Sequence, residues 1–281
     1  MITKSFRIAD FRFALCSENP IADSLFFSLF RSEEIPETKI YVRCGTLPDC
    51  SGKLLFNSDT VRVYRNGAKL LRFSAYFDSH TGVFRDYACL VTDNADRTLF
   101  VRYAAGIWDS MLADALDLPT LLLQNQRVLL HSAFIRTERG AILFAADRQV
   151  GKSTQAALWQ SAVGAEIVNG DRAVLGRRNE QWIAFGTPFC GSSKICKNIS
   201  APIHAVVFPE QAEYNEAHIL SPAEGFRRLL GKLTYNAWDT PSALSAQTLA
   251  LSVVQDVPCY ALSCTPDVEA VRTLREALWK N

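Results

Sequence analysis

Over residues 1–105, apolar and polar positions alternate in short runs. Phe6-Arg-Ile8, Phe11-Arg-Phe13, Val61-Arg-Val-Tyr-Arg65, Lys69-Leu-Leu-Arg-Phe73 and Arg97-Thr-Leu-Phe-Val-Arg-Tyr103 each carry a period of two. That period sets one face of a strand on a core and the other in water. Asn66-Gly67, between the third and fourth runs, favours the positive φ angles of a tight turn, so these runs are expected to pair as a hairpin. Residues 24–31 (Ser-Leu-Phe-Phe-Ser-Leu-Phe-Arg) fit helix and strand equally. The aromatic alternation of this half reads as a sheet face and shows no catalytic spacing.

The pattern then changes. Residues 107–123 predict a helix that stops before Pro119, since proline removes a backbone donor and restricts the residue before it. The expected junction lies there, between a β-rich N-terminal domain (1–125) and a second domain (126–281). Within the second domain, Val128–Ile135, Ile142–Ala145, Glu166–Val168, Ala173–Leu175, Gln181–Phe185, Ile203–Phe208 and Val257–Leu262 read as strands. Ser221-Pro-Ala-Glu224 is a capping box with proline at the first helical position, opening a helix to about Leu233. Residues 241–255 read as helix, and Thr265-Pro266 is expected to cap a terminal helix with Val268, Val271, Leu274 and Leu278 on one face. Mixed α/β is the fold class this order implies, a β-rich N-terminal region followed by a domain with a mixed sheet.

One stretch carries chemistry as well as pattern. After the apolar strand Ile142–Ala145 comes the polar loop Ala146-Asp147-Arg148-Gln149-Val150, then Gly151-Lys152-Ser153-Thr154 and the helix formers Gln155-Ala-Ala-Leu-Trp159. Backbone N–H groups at a loop-to-helix junction point at an anion, and the helix dipole adds positive potential. Gly151 lets the backbone approach phosphates closely, Lys152 brings an ammonium to the β/γ oxygens, and the Ser153 hydroxyl is placed to ligate Mg²⁺. The spacing is that of a relaxed P-loop, with Ala146 in place of the first glycine. The plain alternative is an ordinary strand–turn–helix with an exposed lysine.

Asp171 follows the next strand. A carboxylate at a strand end holds Mg²⁺ or orients the attacking hydroxyl in phosphate-transfer sites, although Asn169-Gly-Asp171 is also strong turn chemistry. His131 lies in the apolar strand before the P-loop strand, where a histidine alone reads as a hydrogen-bonded core residue. Gly186-Thr-Pro-Phe-Cys-Gly-Ser-Ser-Lys194 offers donors to a substrate or serves as an ordinary loop. Lys194, Lys197, Arg227 and Arg228 read as solvated surface charge.

Composition narrows the class. The chain has 281 residues, 48% hydrophobic and 21% charged, with a net charge of +1, which gives no electrostatic case for nucleic acid or an anionic membrane. No run approaches the ~20 apolar residues of a membrane span. The N-terminal decapeptide is interrupted by charge and no apolar run follows it, so no signal peptide is expected. Eight scattered cysteines without C-x-x-C or zinc spacing are expected to be reduced, in a cytoplasmic protein.

From His131 onward the chain resembles the HPr kinase-like branch of the phosphoenolpyruvate carboxykinase-type P-loop proteins. The matching pieces are Leu130-His131-Ser-Ala133, the strand into Gly151-Lys152-Ser153-Thr154, Ile167-Val-Asn-Gly-Asp171-Arg172, and Gly186-Thr-Pro-Phe-Cys-Gly-Ser-Ser193. It looks most similar to small bacterial relatives that accompany peptide-modification clusters. The resemblance implies a PEP carboxykinase-like P-loop domain that binds ATP and Mg²⁺ and phosphorylates a serine-type hydroxyl on a peptide or small protein. It puts Asp171, Lys152 and His131 in the catalytic site, residues 146–154 around the nucleotide, and Ser153 and Asp171 on the metal. The chain departs from the family at Arg148 and Gln149, where Gly or Ser is usual, and at Gly170, where HPr kinases have a second aspartate. These departures raise the alternative of a degenerate pseudokinase that binds nucleotide or peptide; a small-molecule kinase, which shares all the phosphate chemistry, is a second alternative. Oligomeric state has no signature in the pattern.

Overall fold

The computed structural model describes residues 1–21, 25–102, 109–147 and 149–279. The chain divides into two compact units, Met1–Leu118 and Pro119–Asn281. Among the described residues no helix is long and apolar enough to cross a membrane.

The first unit is built on eight strands: β1 (Ile2–Ile8), β2 (Phe11–Ser17), β3 (Thr38–Cys44), β4 (Lys53–Asn57), β5 (Val61–Asn66), β6 (Lys69–Asp78), β7 (Val83–Asp93) and β8 (Asp96–Val101). They form one mixed sheet in the order β1-β2-β3-β8-β7-β6-β5-β4, with β3 parallel to both neighbours. The β5–β6 hairpin forms with Asn66 opposite Lys69, and Gly67 takes the positive φ of +59° at the turn. Alternation buries Phe6, Phe11 and Phe13; Phe13 stacks on both of the others, and Phe6 meets Phe27 edge-on. Phe27–Phe30 is a short 3-10 helix, which resolves most of the ambiguous segment 24–31; residue 24 lies outside the described residues. So do Tyr103 and residues 107 and 108 of the expected helix.

That helix differs from expectation. The chain forms α1 (Asp109–Ala115), turns through Asp117 at φ +49°, and starts α2 (Leu118–Gln124). Pro119 therefore stands in the first turn of a second helix, where its missing N–H would be unpaired anyway.

The second unit contains β9 (Val128–Thr137), β10 (Gly140–Ala145), α3 (Lys152–Val163), β11 (Glu166–Asn169), β12 (Arg172–Arg178), β13 (Gln181–Phe185), β14 (Ser200–Gln211), β15 (Glu216–Ile219), α4 (Pro222–Leu230), β16 (Leu233–Thr234), α5 (Thr240–Asp256), β17 (Cys259–Cys264) and α6 (Val268–Trp279). The sheet is mixed: β10, β14 and β17 run parallel, and the other pairings are antiparallel. β9 and β14 each change neighbours along their length. β9 pairs with β12 and β16 over Leu129–Leu130, then with β10 from Ser132 and with β11 from Phe134. β10 is buried along its whole length, with Leu143 in one core beside α4 and α5 and Phe144 in another beside α3 and α6.

Helix ends follow local chemistry with two corrections. The Ser221–Glu224 capping box forms, but Gly231 ends α4 before Leu233. At α6 the first-turn N–H of Glu269 is accepted by Asp267 at 2.9 Å, while the Thr265 hydroxyl accepts from Asn215 Nδ2 at 2.7 Å. Val268 is exposed; Val271, Leu274 and Leu278 are buried as the pattern predicts. All eight cysteines are free thiols.

Candidate functional site

The site forms where β9 changes partners. Ala145, the last residue of β10, pairs with Ser132, so the loop after β10 leaves the sheet beside His131. Across β9, Arg172 pairs with His131, and the Ser132 N–H donates to the Asp171 carbonyl at 3.0 Å. Residues forty positions apart in sequence thus meet because two strands flank one. Lys152, His131 and Asp171 are brought together; Arg148 lies outside the described residues.

Lys152 is not the exposed lysine of an ordinary turn. It begins α3 and is only 7% exposed. Its ammonium donates to the carbonyls of Ala146 at 2.7 Å and Asp147 at 2.8 Å, and stands 3.1 Å from His131 Nε2. The charge is held inside the concave side of the loop. An ammonium has donors only, so His131 Nε2 accepts and the ring proton sits on Nδ1. Nδ1 faces Asp171 Oδ1 at 3.6 Å, and the second Asp171 oxygen faces Arg172 Nε at 3.4 Å.

The loop itself departs from glycine chemistry at a visible cost. Gly151 has φ +112° and Gln149 φ +67°. A non-glycine residue in that region costs about 1–2 kcal/mol. Gln211 Nε2 donates to the Gln149 carbonyl at 3.0 Å and secures the bend. Gly151 caps α3 with no side-chain partner, so the first N–H groups of the helix face outward with the exposed Ser153 and Thr154. Among the described residues no hydrogen bond joins Ser153 to Asp171.

Asp171 is positioned by a buried neighbour. Asn169 is fully buried, and its Oδ1 accepts from the N–H groups of Asp171 at 2.8 Å and Arg172 at 2.9 Å. Its Nδ2 donates to the Thr187 carbonyl at 2.9 Å, and the Thr187 hydroxyl donates to the Arg172 carbonyl at 2.8 Å. One amide therefore ties the Asp171 turn to the loop after β13. Arg172 also lies over the Phe189 ring at 4.9 Å.

Lys232 is a member that residue spacing does not reveal. It follows α4 with no period or motif of its own, and β16 carries it to β9, where its carbonyl accepts the His131 N–H at 2.9 Å. Lys232 Nζ donates to Asp147 Oδ2 at 2.7 Å. That bond, with the charge of Lys232 and then of Lys152, holds the Asp147 carboxyl below the usual carboxylate range. The four surface cations divide differently. Lys197 pairs with Glu166 and Arg228 with Glu210, while Lys194 and Arg227 form no ion pair among the described residues.

Beside the loop, a cavity of about 340 Å³ opens at the carboxyl ends of the parallel strands β10, β14 and β17. Gly151, Thr154, Gln155, Gln211, Cys264 and Pro266 line it. Ligands of α/β sheets bind at such strand ends. Gln155 is 1% exposed; its Nε2 donates to Cys264 Sγ at 3.2 Å, and its Oε1 has no hydrogen-bond partner among the described residues. A larger cavity, about 690 Å³, lies at the β9–β10 turn among Arg136, Arg139, Arg275 and Trp279, and touches none of the site residues above.

No protein-family model matches the chain, and no curated protein matches it. A solved structure of the Hpr(Ser) kinase/phosphatase from Coxiella burnetii shares 13% identity, with 52% of this chain and 90% of that chain covered and a TM-score of 0.30.

Proposed function

We propose that the second unit binds a nucleoside triphosphate at Gly151–Thr154 and transfers its γ-phosphoryl group to a serine-type hydroxyl of a peptide or small protein. The carrying observation is the buried Lys152 ammonium, held by two loop carbonyls and set beside His131 and Asp171. A buried cation at a loop-to-helix junction is costly unless an anion or fixed dipoles answer it. Here the dipoles hold it in place for a phosphate that meets the outward N–H groups of α3.

Each residue has a task in this reading. Lys152 neutralises phosphate charge. His131, neutral through its bond from Lys152, fixes the ammonium and presents Nδ1–H toward Asp171. Asp171 accepts the proton of the attacking hydroxyl. The nucleoside end of the ligand lies in the 340 Å³ cavity beside Thr154 and Gln155. Mg²⁺ fits the donors available. No group of three or more His, Cys, Asp or Glu among the described residues forms a cage of its own. Mg²⁺ characteristically binds one or two carboxylates together with substrate phosphates and water. Ser153 and Asp171 are the side chains that would hold it, and it would supply charge neutralisation at the phosphates.

The motif series shared with HPr kinase-like proteins supports a hydroxyl acceptor on a peptide or small protein. Gln149 at positive φ favours the second reading, a nucleotide-binding pseudokinase, because the strained loop is not the glycine-lined cradle of an efficient kinase. Incubation with Mg·[γ-³²P]ATP and candidate acceptors separates them. Labelled peptide supports transfer, bound nucleotide without any transfer supports the pseudokinase, and a labelled metabolite alone supports a small-molecule kinase.

A further inference from the structure

The loop between β13 and β14 folds directly over Asp171. Gly191 has φ +55°, and a Cβ built on it would stand 2.8 Å from Asp171 Cβ, 2.9 Å from Cγ and 3.1 Å from Oδ1. Only glycine lets the backbone lie this close to the carboxylate, and Oδ1 is the oxygen that faces His131. The loop is pinned on both sides of this contact. Before it, Thr187 is fully buried and bonded to Asn169 and Arg172. After it, the Ser193 hydroxyl donates to the Cys190 carbonyl at 2.7 Å and accepts from the Ile195 N–H at 3.2 Å.

Two hydroxyls follow Gly191, and they differ. Ser193 is committed to the loop. Ser192 is exposed, and its hydroxyl has no hydrogen-bond partner among the described residues. Consecutive Cα atoms are ~3.8 Å apart, so the free hydroxyl springs from the residue next to the one in contact with Asp171. A tethered acceptor beside the base needs no encounter in solution, and such tethering reaches high effective molarity.

We infer that Ser192 is a site of self-phosphorylation in cis; this rests on the nucleotide reading above. The Ser192 Oγ attacks the γ-phosphorus of a bound nucleoside triphosphate. The new Oγ–P bond forms as the bond from the γ-phosphorus to the β–γ bridging oxygen breaks. The nucleoside diphosphate leaves with that electron pair, and the hydroxyl proton passes to Asp171. The product carries about −1.5 to −2 charge on Ser192, next to the residue whose backbone lies over Asp171.

The test is phosphosite mapping by peptide mass spectrometry after the full chain is incubated with Mg·ATP alone, with a thermal-shift measurement on the same samples. Phosphate is expected on Ser192, at a rate independent of protein concentration. It is expected to be absent in Ser192→Ala and slowed by about 10²-fold or more in Asp171→Asn. Ser192→Ala, a change at an exposed side chain, keeps the Tm rise with Mg·ATP. A Tm rise with no phosphate on Ser192 overturns the inference and leaves the nucleotide reading standing. Phosphate on Ser192 at a rate proportional to protein concentration overturns transfer in cis. No Tm rise in any chain overturns both.

Discussion

Ser193 fills the space that a side chain at Gly170 would need: a Cβ on Gly170 would stand 2.1 Å from Ser193 Oγ and 2.7 Å from Ser193 Cβ. The loop after β13 therefore packs directly against Gly170, in the space any side chain there would occupy. Because the Ser193 hydroxyl is bonded on both sides, it does not swing away freely. Gly170→Asp is expected to destabilise the second unit by about 1–3 kcal/mol, as overpacking does, and to leave phosphotransfer no faster. Urea unfolding of wild type and variant checks the first expectation; equal midpoints would show that the loop yields.

Asn169 is the positioning residue beneath Asp171. Removing its side chain strands the N–H groups of Asp171 and Arg172 and the Thr187 carbonyl in a buried place. Each stranded buried group costs about 1–3 kcal/mol, some of it recovered by relaxation, so Asn169→Ala is expected to cost about 2–4 kcal/mol. The variant is also expected to lose turnover more than nucleotide affinity. An Asn169→Ala chain that unfolds at the wild-type urea concentration would contradict this role.

The Asp147–Lys232 pair gives the site a pH dependence of known sign. Asp147 is held below the usual carboxylate range chiefly by its bond from Lys232. A carboxyl with a lowered folded pKa contributes stability above its unfolded pKa, ~3.9, and loses it as pH falls through the folded value. Asp147→Asn is therefore expected to lower the unfolding midpoint slightly at neutral pH, a gap that closes as pH falls through the folded pKa of Asp147. The effect is small, since the Asp147 carboxylate is 76% exposed. A gap that persists unchanged in acid would place its cause elsewhere than in this charge.

What the sequence makes legible here is what is local. The strand, loop and helix around Lys152 are contiguous, so period and motif together define them. The approach of His131 and Asp171 depends on β9 pairing with β10 on one side and β12 on the other, which no spacing encodes; the family resemblance supplied it. Lys232 is carried by a two-residue strand, Leu233–Thr234, too short to show any period. Pro119 is ambiguous because proline both ends and begins helices, and what decides between them is the left-handed turn at Asp117, which proline chemistry does not encode. Thr265 is drawn off by Asn215, a partner fifty residues away.

A thermal-shift titration with Mg·ATP on wild type and Lys152→Ala asks whether Lys152 serves a phosphate site. A ligand at ~100 times its Kd adds about 2.7 kcal/mol when it binds only the folded state. At roughly 2–4 °C per kcal/mol, that is a rise of about 5–11 °C. This rise is expected in wild type and is expected to be lost in Lys152→Ala. Equal behaviour of the two chains up to millimolar nucleotide would contradict that role.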